Sequence, residues 1–102
     1  MRDDDFEWDD RKSASNLRKH KVSFSEARSI FDDPRALEEP LHDDSTDEER
    51  VKRIGLGAVG LLAVIYTERV GGDRLSRTRI ISAWKATKNE QAQYNEDNES
   101  QS

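Results

Sequence analysis

The sequence of 102 residues has no cysteine, two prolines and only two histidines. Because cysteine is absent, the chain can form neither a disulfide framework nor a thiolate metal site, and His20 and His42 do not make a zinc site by themselves. We therefore predict that the protein uses no metal and no cofactor. A secretory signal is also missing, since the N-terminus carries acidic residues where a basic region and an apolar core would be needed. This pattern favours a cytoplasmic protein.

Long hydrophobic runs are scarce as well. The one extended apolar segment, Leu61 to Tyr66, is too short to span a membrane, and its β-branched residues predict a buried central strand. Gly71, Gly72 and Asp73 then favour a turn, and Arg77 to Ser82 suits a second strand. Together these segments predict an antiparallel hairpin, and no membrane partner is expected.

The low apolar content limits the chain to one small domain. Hydrophobic residues make up 32% of the sequence and charged residues 38%, but the apolar residues are clustered in periodic segments, which favours a folded centre with charged ends. A chain of this length can bury only one core. We predict a single domain at residues 1–94 and a disordered polar tail at residues 95–102.

Secondary-structure patterns predict an α+β fold. Phe6 to Trp8 alternates like a short strand, Arg11 to His20 suits a helix with Ala14 and Leu17 facing inward, and Ser23 to Glu26 is a capping box that opens a second helix. The later predicted elements are an edge strand at 36–39, an exposed acidic loop at 43–48, strands at 49–57, 61–69 and 77–82, and a short helix at 87–94 that another capping box opens. We expect an antiparallel sheet of about four to five strands, with two N-terminal helices and a short C-terminal helix on one face.

Charge is distributed unevenly along the chain, and the net charge of −5 hides this. From Arg50 to Lys88 nine basic residues face two acidic ones, whereas from Asp32 to Glu49 nine acidic residues face only Arg35. One surface could therefore attract a polyanion such as a nucleic acid, or a partner of opposite charge. The alternative is a solvated surface of mixed charge.

A series of motifs extends from Phe6 to about Tyr94. They are Phe6-Glu7-Trp8-Asp9, Lys12, Asn16, Lys19-His20, Val22, Phe24, Glu26-Ala27, Phe31-Asp32-Asp33-Pro34, Glu49-Arg50, Ile54-Gly55, Tyr66-Thr67-Glu68-Arg69, Arg79-Ile80-Ile81-Ser82-Ala83 and Ala86-Thr87. Their joint order and spacing resemble the BrnT family of toxins from type II toxin–antitoxin systems.

The resemblance implies a small RelE-like fold and an endoribonuclease that cleaves RNA and inhibits translation. It also implies a partner, a BrnA-like antitoxin with a ribbon-helix-helix DNA-binding domain, which would neutralise the toxin. The complex of toxin and antitoxin would repress its own operon, so that this chain would meet DNA only through the antitoxin. The chain itself has no evident recognition helix with basic residues that read bases.

Two positions depart from the family pattern. Lys21 stands where glycine is usual, and we expect it to reach a left-handed or an alternative turn geometry at modest cost. Trp84 stands where arginine is usual, and tryptophan supplies neither the charge nor the forked donors of that residue. Trp84 could instead stack on a base, or pack as core on the far face from Arg79. Arg79, Arg77 or Lys85 could then cover the missing charge.

Cleavage of RNA without a metal needs a base for the 2′-hydroxyl, cations for the phosphate and an acid for the leaving 5′ oxygen. Given the resemblance, we predict that His20, Arg50, Arg79 and Lys85 surround the scissile phosphate. His20 suits a base or an acid because an imidazole can both accept and donate a proton, although a histidine at a helix end can also be a structural cap. Arg50 could bind phosphate or pair with the acidic loop. The possible supporting residues are Lys12, Lys19, Glu49, Tyr66, Glu68 and Trp84.

Strand alternation places Arg77, Arg79 and Lys85 on one face, which predicts a row of three cations. Whether Tyr66 and Glu68 lie beside Arg79 depends on the register of the hairpin, and Tyr66 also suits the core with its hydroxyl at the edge. An alternative function is a catalytically degenerate toxin fold, which has lost its chemistry with the usual arginine and only binds an antitoxin-like repressor or RNA.

Overall fold

The computed structural model describes residues 5–41, 49–70 and 76–100. The predicted acidic loop at 43–48, the predicted turn at 71–73 and His42 lie outside this part of the chain. None of the helices within it is long and apolar enough to cross a membrane.

The described residues form a five-stranded sheet and three α-helices. The strands are β1 (Phe6–Glu7), β2 (Leu37–Leu41), β3 (Arg50–Gly57), β4 (Gly60–Val70) and β5 (Ser76–Lys85), and the helices are α1 (Asp10–His20), α2 (Phe24–Arg28), which continues as a 3-10 helix (Ser29–Asp32), and α3 (Lys88–Ser100). The strand order is β1-β5-β4-β3-β2, in which β1 is parallel to β5 and the other neighbouring pairs are antiparallel. The α+β class and the antiparallel pairing of β4 with β5 are confirmed, but the sheet is mixed rather than wholly antiparallel.

Local hydrogen bonds explain where the first two helices begin. The Asp9 carboxylate accepts from the backbone N–H of Arg11 at 2.8 Å and from that of Lys12 at 3.3 Å, so that α1 starts at the next residue. Before α2, the Ser23 hydroxyl accepts from the Glu26 N–H at 3.1 Å, and the Glu26 carboxylate accepts from the Ser23 N–H at 2.9 Å. The predicted capping box is therefore present.

One face of the sheet, which we call the core face, carries the hydrophobic core together with α2 and the 3-10 helix. The buried residues of this core are Phe6, Trp8, Val22, Phe24, Ala27, Ile30, Leu62, Val64, Ile80 and Ala83. The 3-10 helix approaches β3 so closely that a Cβ atom on Gly57 would overlap Ser29 Oγ and Ile30 Cγ2. Only glycine fits that position without a shift of Ser29 and Ile30.

α1 packs against the sheet differently from the prediction. Ala14 and Leu17 are exposed, Leu17 to 47%, so the prediction that they face inward is wrong. Asn16 is buried instead: its Nδ2 donates to the carbonyl groups of Ala83 and Val22, both at 2.8 Å, and its Oδ1 accepts from the Ala83 N–H at 3.3 Å. α1 therefore lies along the edge of β5, where backbone groups need polar partners and an amide satisfies them.

α3 lies on the opposite side of the sheet from α2. Near its start, Glu90 contacts Lys52 and Trp84. The residues next to these in sequence, Arg53 and Ala83, lie on the core face, so Lys52 and Trp84 point to the opposite face. The prediction that all helices share one face is therefore wrong for this helix. Its position depends on polar contacts with particular side chains, and apolar periodicity does not reveal these.

α3 is also longer than predicted. The hydroxyl of Thr87 accepts from the Glu90 N–H at 3.2 Å and the Thr87 N–H donates to the Glu90 carboxylate at 2.9 Å, so the second predicted capping box is present. The helix then runs past the predicted end at Tyr94 to Ser100, and Asn98 Nδ2 donates to the Tyr94 carbonyl at 2.8 Å. Residues 95–100, predicted as part of a disordered tail, are thus helical, and the domain boundary at residue 94 stays a prediction.

Candidate functional site

A β-bulge decides which side chains of β5 share a face. Ile65 of β4 pairs with Ser82, but the next residue, Tyr66, pairs with Ile80. Ile81 is therefore an extra residue in the pairing of the two strands. Beyond it the alternation of side chains is shifted by one position.

The bulge separates residues that simple alternation places together. Arg79 and Trp84 both lie on the outer face, which is the sheet face opposite the core face, whereas Lys85 lies on the core face opposite Leu62. The predicted row of Arg77, Arg79 and Lys85 on one face is therefore wrong. Trp84 is also not on the far face from Arg79, because the extra residue brings it back to the same side.

The outer face borders a cleft of about 190 Å³ between α1 and β5. Its lining residues are Lys12, Ser15, Asn16, Lys19, His20, Ile81 and Ser82. Those on α1 recur at helical spacing, which places them on one side of the helix. We call this the basic cleft, because it gathers the predicted site residues Lys12, Lys19 and His20 beside the bulge.

His20 occupies the last position of α1 and is exposed. Its ring centroid lies 6.4 Å from that of Trp84, and the two ring planes are inclined by 53°. Directly after it, Lys21 adopts a left-handed conformation with φ 64°, and its N–H donates to the Leu17 carbonyl at 3.0 Å. Of the two geometries expected for Lys21, the structure has the left-handed one. The geometry leaves the imidazole open to a ligand in the basic cleft.

Trp84 is held in place by the start of α3. Its Nε1 donates to Glu90 Oε1 at 3.0 Å, and Lys52 Nζ donates to Glu90 Oε2 at 3.2 Å. Burial by itself would raise the pKa of the Glu90 carboxyl, but hydrogen bonds from the Thr87 N–H, Trp84 and Lys52 outweigh it and hold the pKa below its ordinary value. Glu90 is therefore ionised at neutral pH and fixes the position of the indole.

Two predicted arginines share the outer face with Trp84. Arg79 Nη1 lies 3.6 Å from the carboxylate of Glu7 on β1. Arg50 is two residues from Lys52 on β3, so its side chain points to the same face. β4 lies between the strands that carry these arginines. Neither arginine lines the basic cleft, although both lie on the face that adjoins it.

The remaining predicted residues are not brought to the basic cleft. Tyr66 and Glu68 lie on the core face, where the Tyr66 hydroxyl donates to the Glu38 carboxylate. Burial and then the Glu38 carboxylate raise the pKa of Tyr66 far above its ordinary value, so this ring is structural, as its suitability for the core suggested. Glu49 contributes its backbone carbonyl, which accepts from Thr67 Oγ1 at 2.7 Å.

Sequence reasoning missed Ser15 and Ser82 as lining residues and recognised Glu90 only as part of a capping box. The position of Ser15 between Lys12 and Lys19 on one helix stripe could have indicated its role. Ser82 and Glu90 carry no such signal, because the bulge and the position of α3 bring them to the site.

A second groove, of about 610 Å³, lies between α3 and the strands β2 and β3. It is lined by Leu37, Glu38, Glu39, Lys52, Ile54, Gln93, Glu96 and Asp97. Two of its carboxylates are paired, Glu38 with Arg53 at 3.1 Å and Glu39 with Lys52 at 3.5 Å. We call it the acidic groove. It is larger than the basic cleft, but its excess of carboxylates opposes the binding of phosphate groups.

The chemical groups of the basic cleft are an imidazole, two ammonium groups, two hydroxyl groups and an amide. An imidazole can accept and donate protons near neutral pH, and ammonium groups stabilise negative charge that develops on a bound oxyanion. Within residues 5–41, 49–70 and 76–100, no group of three or more histidine, aspartate or glutamate side chains is placed to hold a metal ion.

The match with a known protein family covers most of the described chain. The family model described as "Ribonuclease toxin, BrnT, of type II toxin-antitoxin system" matches residues 8–90. This range includes every residue that lines the basic cleft and ends at Glu90, which holds Trp84. A search of curated proteins finds no match.

Proposed function

Because the chain belongs to the BrnT family of ribonuclease toxins of type II toxin–antitoxin systems, we propose that it is an endoribonuclease that cleaves RNA at the basic cleft without a metal ion and so inhibits translation. The observation that carries this proposal is that His20 lines one cleft together with two lysines and the bulge residue Ile81 of β5. The cleft combines a group that moves protons with groups that bind phosphate.

The proposed reaction is an attack of the ribose 2′-oxygen on the neighbouring phosphorus. The base removes the proton of the 2′-hydroxyl, a new P–O2′ bond forms, the P–O5′ bond breaks and the leaving 5′ oxygen takes up a proton. The products are a 2′,3′-cyclic phosphate and a 5′-hydroxyl. His20 supplies one of the two proton transfers, and Lys12 and Lys19 neutralise the charge on the phosphate oxygens.

Arg79 and Arg50 bind the RNA backbone along the outer face in this proposal. Arg79 is partly buried and lies 3.6 Å from Glu7, so a phosphate would share its guanidinium with that carboxylate. The fork of five N–H donors can serve both partners. Lys85 has no role in the proposed site, because the bulge places it on the core face.

The proposed partner is a BrnA-like antitoxin with a ribbon-helix-helix domain. The type II family implies a protein antitoxin, and we propose that its complex with this chain represses the operon that encodes both. A mobility-shift assay tests this with the chain, the product of the neighbouring reading frame and the operator DNA. We expect a shift with the complex and none with this chain alone, and a shift by the isolated chain would contradict the proposal.

Growth and RNA integrity after induction of this chain alone test the ribonuclease activity. We expect growth arrest and cleaved RNA, and cleavage by the purified protein should persist with a metal chelator. Arg79→Ala should relieve the arrest, whereas Lys85→Ala, which removes a cation from the core face, should leave it. Intact RNA and normal growth with a folded protein would contradict the proposal.

A catalytically degenerate interaction module is the second candidate, and the position of Trp84 favours it. The indole lies beside His20, at the position where the resemblance to the family implies an arginine, and an indole supplies no positive charge there. Trp84→Arg distinguishes the two functions. A gain of ribonuclease activity from an inactive parent would support the degenerate module, whereas cleavage by the unaltered chain would exclude it.

A further inference from the structure

Trp84 departs from the family pattern, and its surroundings give it a use of its own. We propose that Trp84 is a stacking platform for one unpaired nucleobase of a single-stranded RNA, next to the phosphate that binds in the basic cleft. This inference rests on the proposed ribonuclease function and names its substrate class. In this proposal the uncharged nucleobase, and not the phosphate, binds to Trp84.

The indole is oriented before any ligand arrives. Its single polar atom, Nε1, is already engaged by Glu90 at 3.0 Å, and Glu90 is itself buried and held by Lys52 and by the Thr87 N–H. The half-buried ring therefore has no free hydrogen-bond donor, and its π surface is what it offers a ligand. A ring that is fixed in advance loses little conformational entropy when a base stacks on it.

The distance to the basic cleft suits one nucleotide. The Trp84 ring lies 6.4 Å from the ring of His20, which lines the cleft. Ser82, another lining residue, is two residues before Trp84 on the same strand and the same face, which corresponds to about 6.6 Å along the strand. A base and the phosphate of the same nucleotide are separated by a comparable distance.

Charge sets the orientation of the nucleotide. Lys12 and Lys19 lie at one end of the site, and the ionised Glu90 carboxylate lies beyond the indole at the other end. Lys52 Nζ lies 3.2 Å from Glu90, so the charges next to the indole offset each other, whereas Lys12 and Lys19 attract a phosphate to the cleft. The phosphate binds at the cleft and the base at the indole.

Tryptophan fluorescence can test this inference without any cleavage. The chain has two tryptophans, and the other one, Trp8, is buried in the core with its ring 6.5 Å from that of Phe24. The probe is a short single-stranded oligonucleotide with 2′-O-methyl riboses, which cannot undergo attack by a 2′-oxygen. We expect the probe to quench the fluorescence, because a base stacks on Trp84, and a matched abasic oligonucleotide to quench it much less.

Variants at the same position provide the controls. Trp84→Phe should abolish the quenching, since only Trp8 remains, but should bind a labelled probe nearly as tightly because phenylalanine also stacks. Trp84→Ala should weaken binding about 5- to 150-fold. The affinities of Trp84→Arg for the abasic and the base-containing probe should differ less than those of the unaltered chain. If Trp84→Ala does not fold, the abasic comparison with the unaltered chain still decides.

Two results would overturn the inference: equal quenching by the abasic and base-containing probes, or equal binding by the unaltered chain and a folded Trp84→Ala variant. RNA cleavage without base-dependent quenching would refute the stacking platform and leave the ribonuclease function standing. Base-dependent quenching without cleavage of ordinary RNA would support the platform and refute the ribonuclease.

Discussion

The basic cleft and the acidic groove are opposite in charge although they adjoin the same sheet. The cleft presents Lys12, Lys19 and His20, whereas Glu96 and Asp97 of α3 contribute to the acid lining of the groove. The smaller of the two thus has the charge that phosphate requires, and the larger one repels it. The volume of a groove and its charge therefore favour different sites on this sheet, and the proposed RNA site follows the charge.

Glu90 links residues near both grooves through two hydrogen bonds. Trp84, beside the cleft, donates to Glu90, and Lys52, which lines the groove, donates to the same carboxylate. α1 and α3 are also attached in different ways. Neutral hydrogen bonds of Asn16 hold α1 to the edge of β5, whereas α3 depends on the ionised Glu90 and on a hydrogen bond from Tyr94 to Asp33 at 2.7 Å. The α3 side should therefore be the more sensitive to acid.

The largest expected effect tests whether the basic cleft, which contains His20, carries out the cleavage. His20→Ala should reduce kcat for RNA cleavage by about 10²- to 10⁴-fold, because a general acid or base is lost. Its thermal midpoint should stay close to that of the unaltered chain, since the imidazole is exposed. A lowered midpoint with normal cleavage would instead indicate that His20 only stabilises the end of α1.

The next largest effect tests whether RNA binds to the positive charges of the basic cleft and not to the acidic groove. Lys12→Gln with Lys19→Gln should reduce the slope of log binding constant against log salt for single-stranded RNA by about 1.4, since each lost phosphate contact contributes about 0.7. The matched control is Glu96→Gln with Asp97→Asn, which changes the same number of charges in the acidic groove. Loss of RNA affinity in the control, equal to that of the lysine variant, would contradict the assignment of the two grooves.

A third prediction concerns Glu90, which accepts hydrogen bonds from Lys52 and Trp84. Glu90→Gln should lower the free energy of unfolding at neutral pH by about 1 to 3 kcal/mol, because Lys52 and Trp84 lose a charged acceptor. Urea unfolding measures the loss. Glu96→Gln, an exposed change on the same helix, is the control and should have little effect.

The pH dependence of this third effect follows from the lowered pKa of Glu90. A carboxyl whose folded pKa lies below its unfolded value stabilises the fold above the unfolded pKa and loses that contribution as the pH falls through the folded pKa. The stability difference between the unaltered chain and Glu90→Gln should therefore shrink below about pH 4.5. A difference that grows in acid would show that Glu90 is not the stabilising anion.

The smallest effect concerns the helix that carries the basic cleft. Lys21→Gly should raise the free energy of unfolding by about 1 kcal/mol, because glycine adopts the left-handed conformation at φ 64° without a steric cost. Lys21→Ala removes the same side chain but keeps the strained geometry, so it should bring no gain. Equal stabilisation by both variants would attribute the effect to the lost charge instead.

Much of the fold could be predicted from local patterns. The capping boxes at Ser23 and Thr87 are present because their hydrogen bonds join residues only three apart. The strand of Leu61 to Tyr66 was predictable from its run of apolar and β-branched residues, whereas the helix end at Lys21 was left open between two geometries. These features depend on neighbours in sequence, which are known before the chain is folded.

The contents of the candidate site depended on longer contacts. The prediction that Leu17 faces inward is wrong because α1 satisfies the backbone of β5 through Asn16. Lys85 was predicted beside Arg79 because alternation was assumed to continue through the bulge at Ile81. A single extra residue moves every later side chain of the strand to the other face.

By itself, the sequence determined the order of strands and helices, the caps, the charge distribution and the family motifs, since all of these follow from residues near one another or from their spacing. Helical spacing already places His20 and the two lysines on one side of α1, but the tertiary structure alone decided that Trp84 lies beside His20 and that Lys85 does not lie at the site. The register of β4 and β5 and the attachment of α3 through Glu90 arise from contacts between distant segments. Such contacts form only when the whole core packs, so no local pattern predicts them.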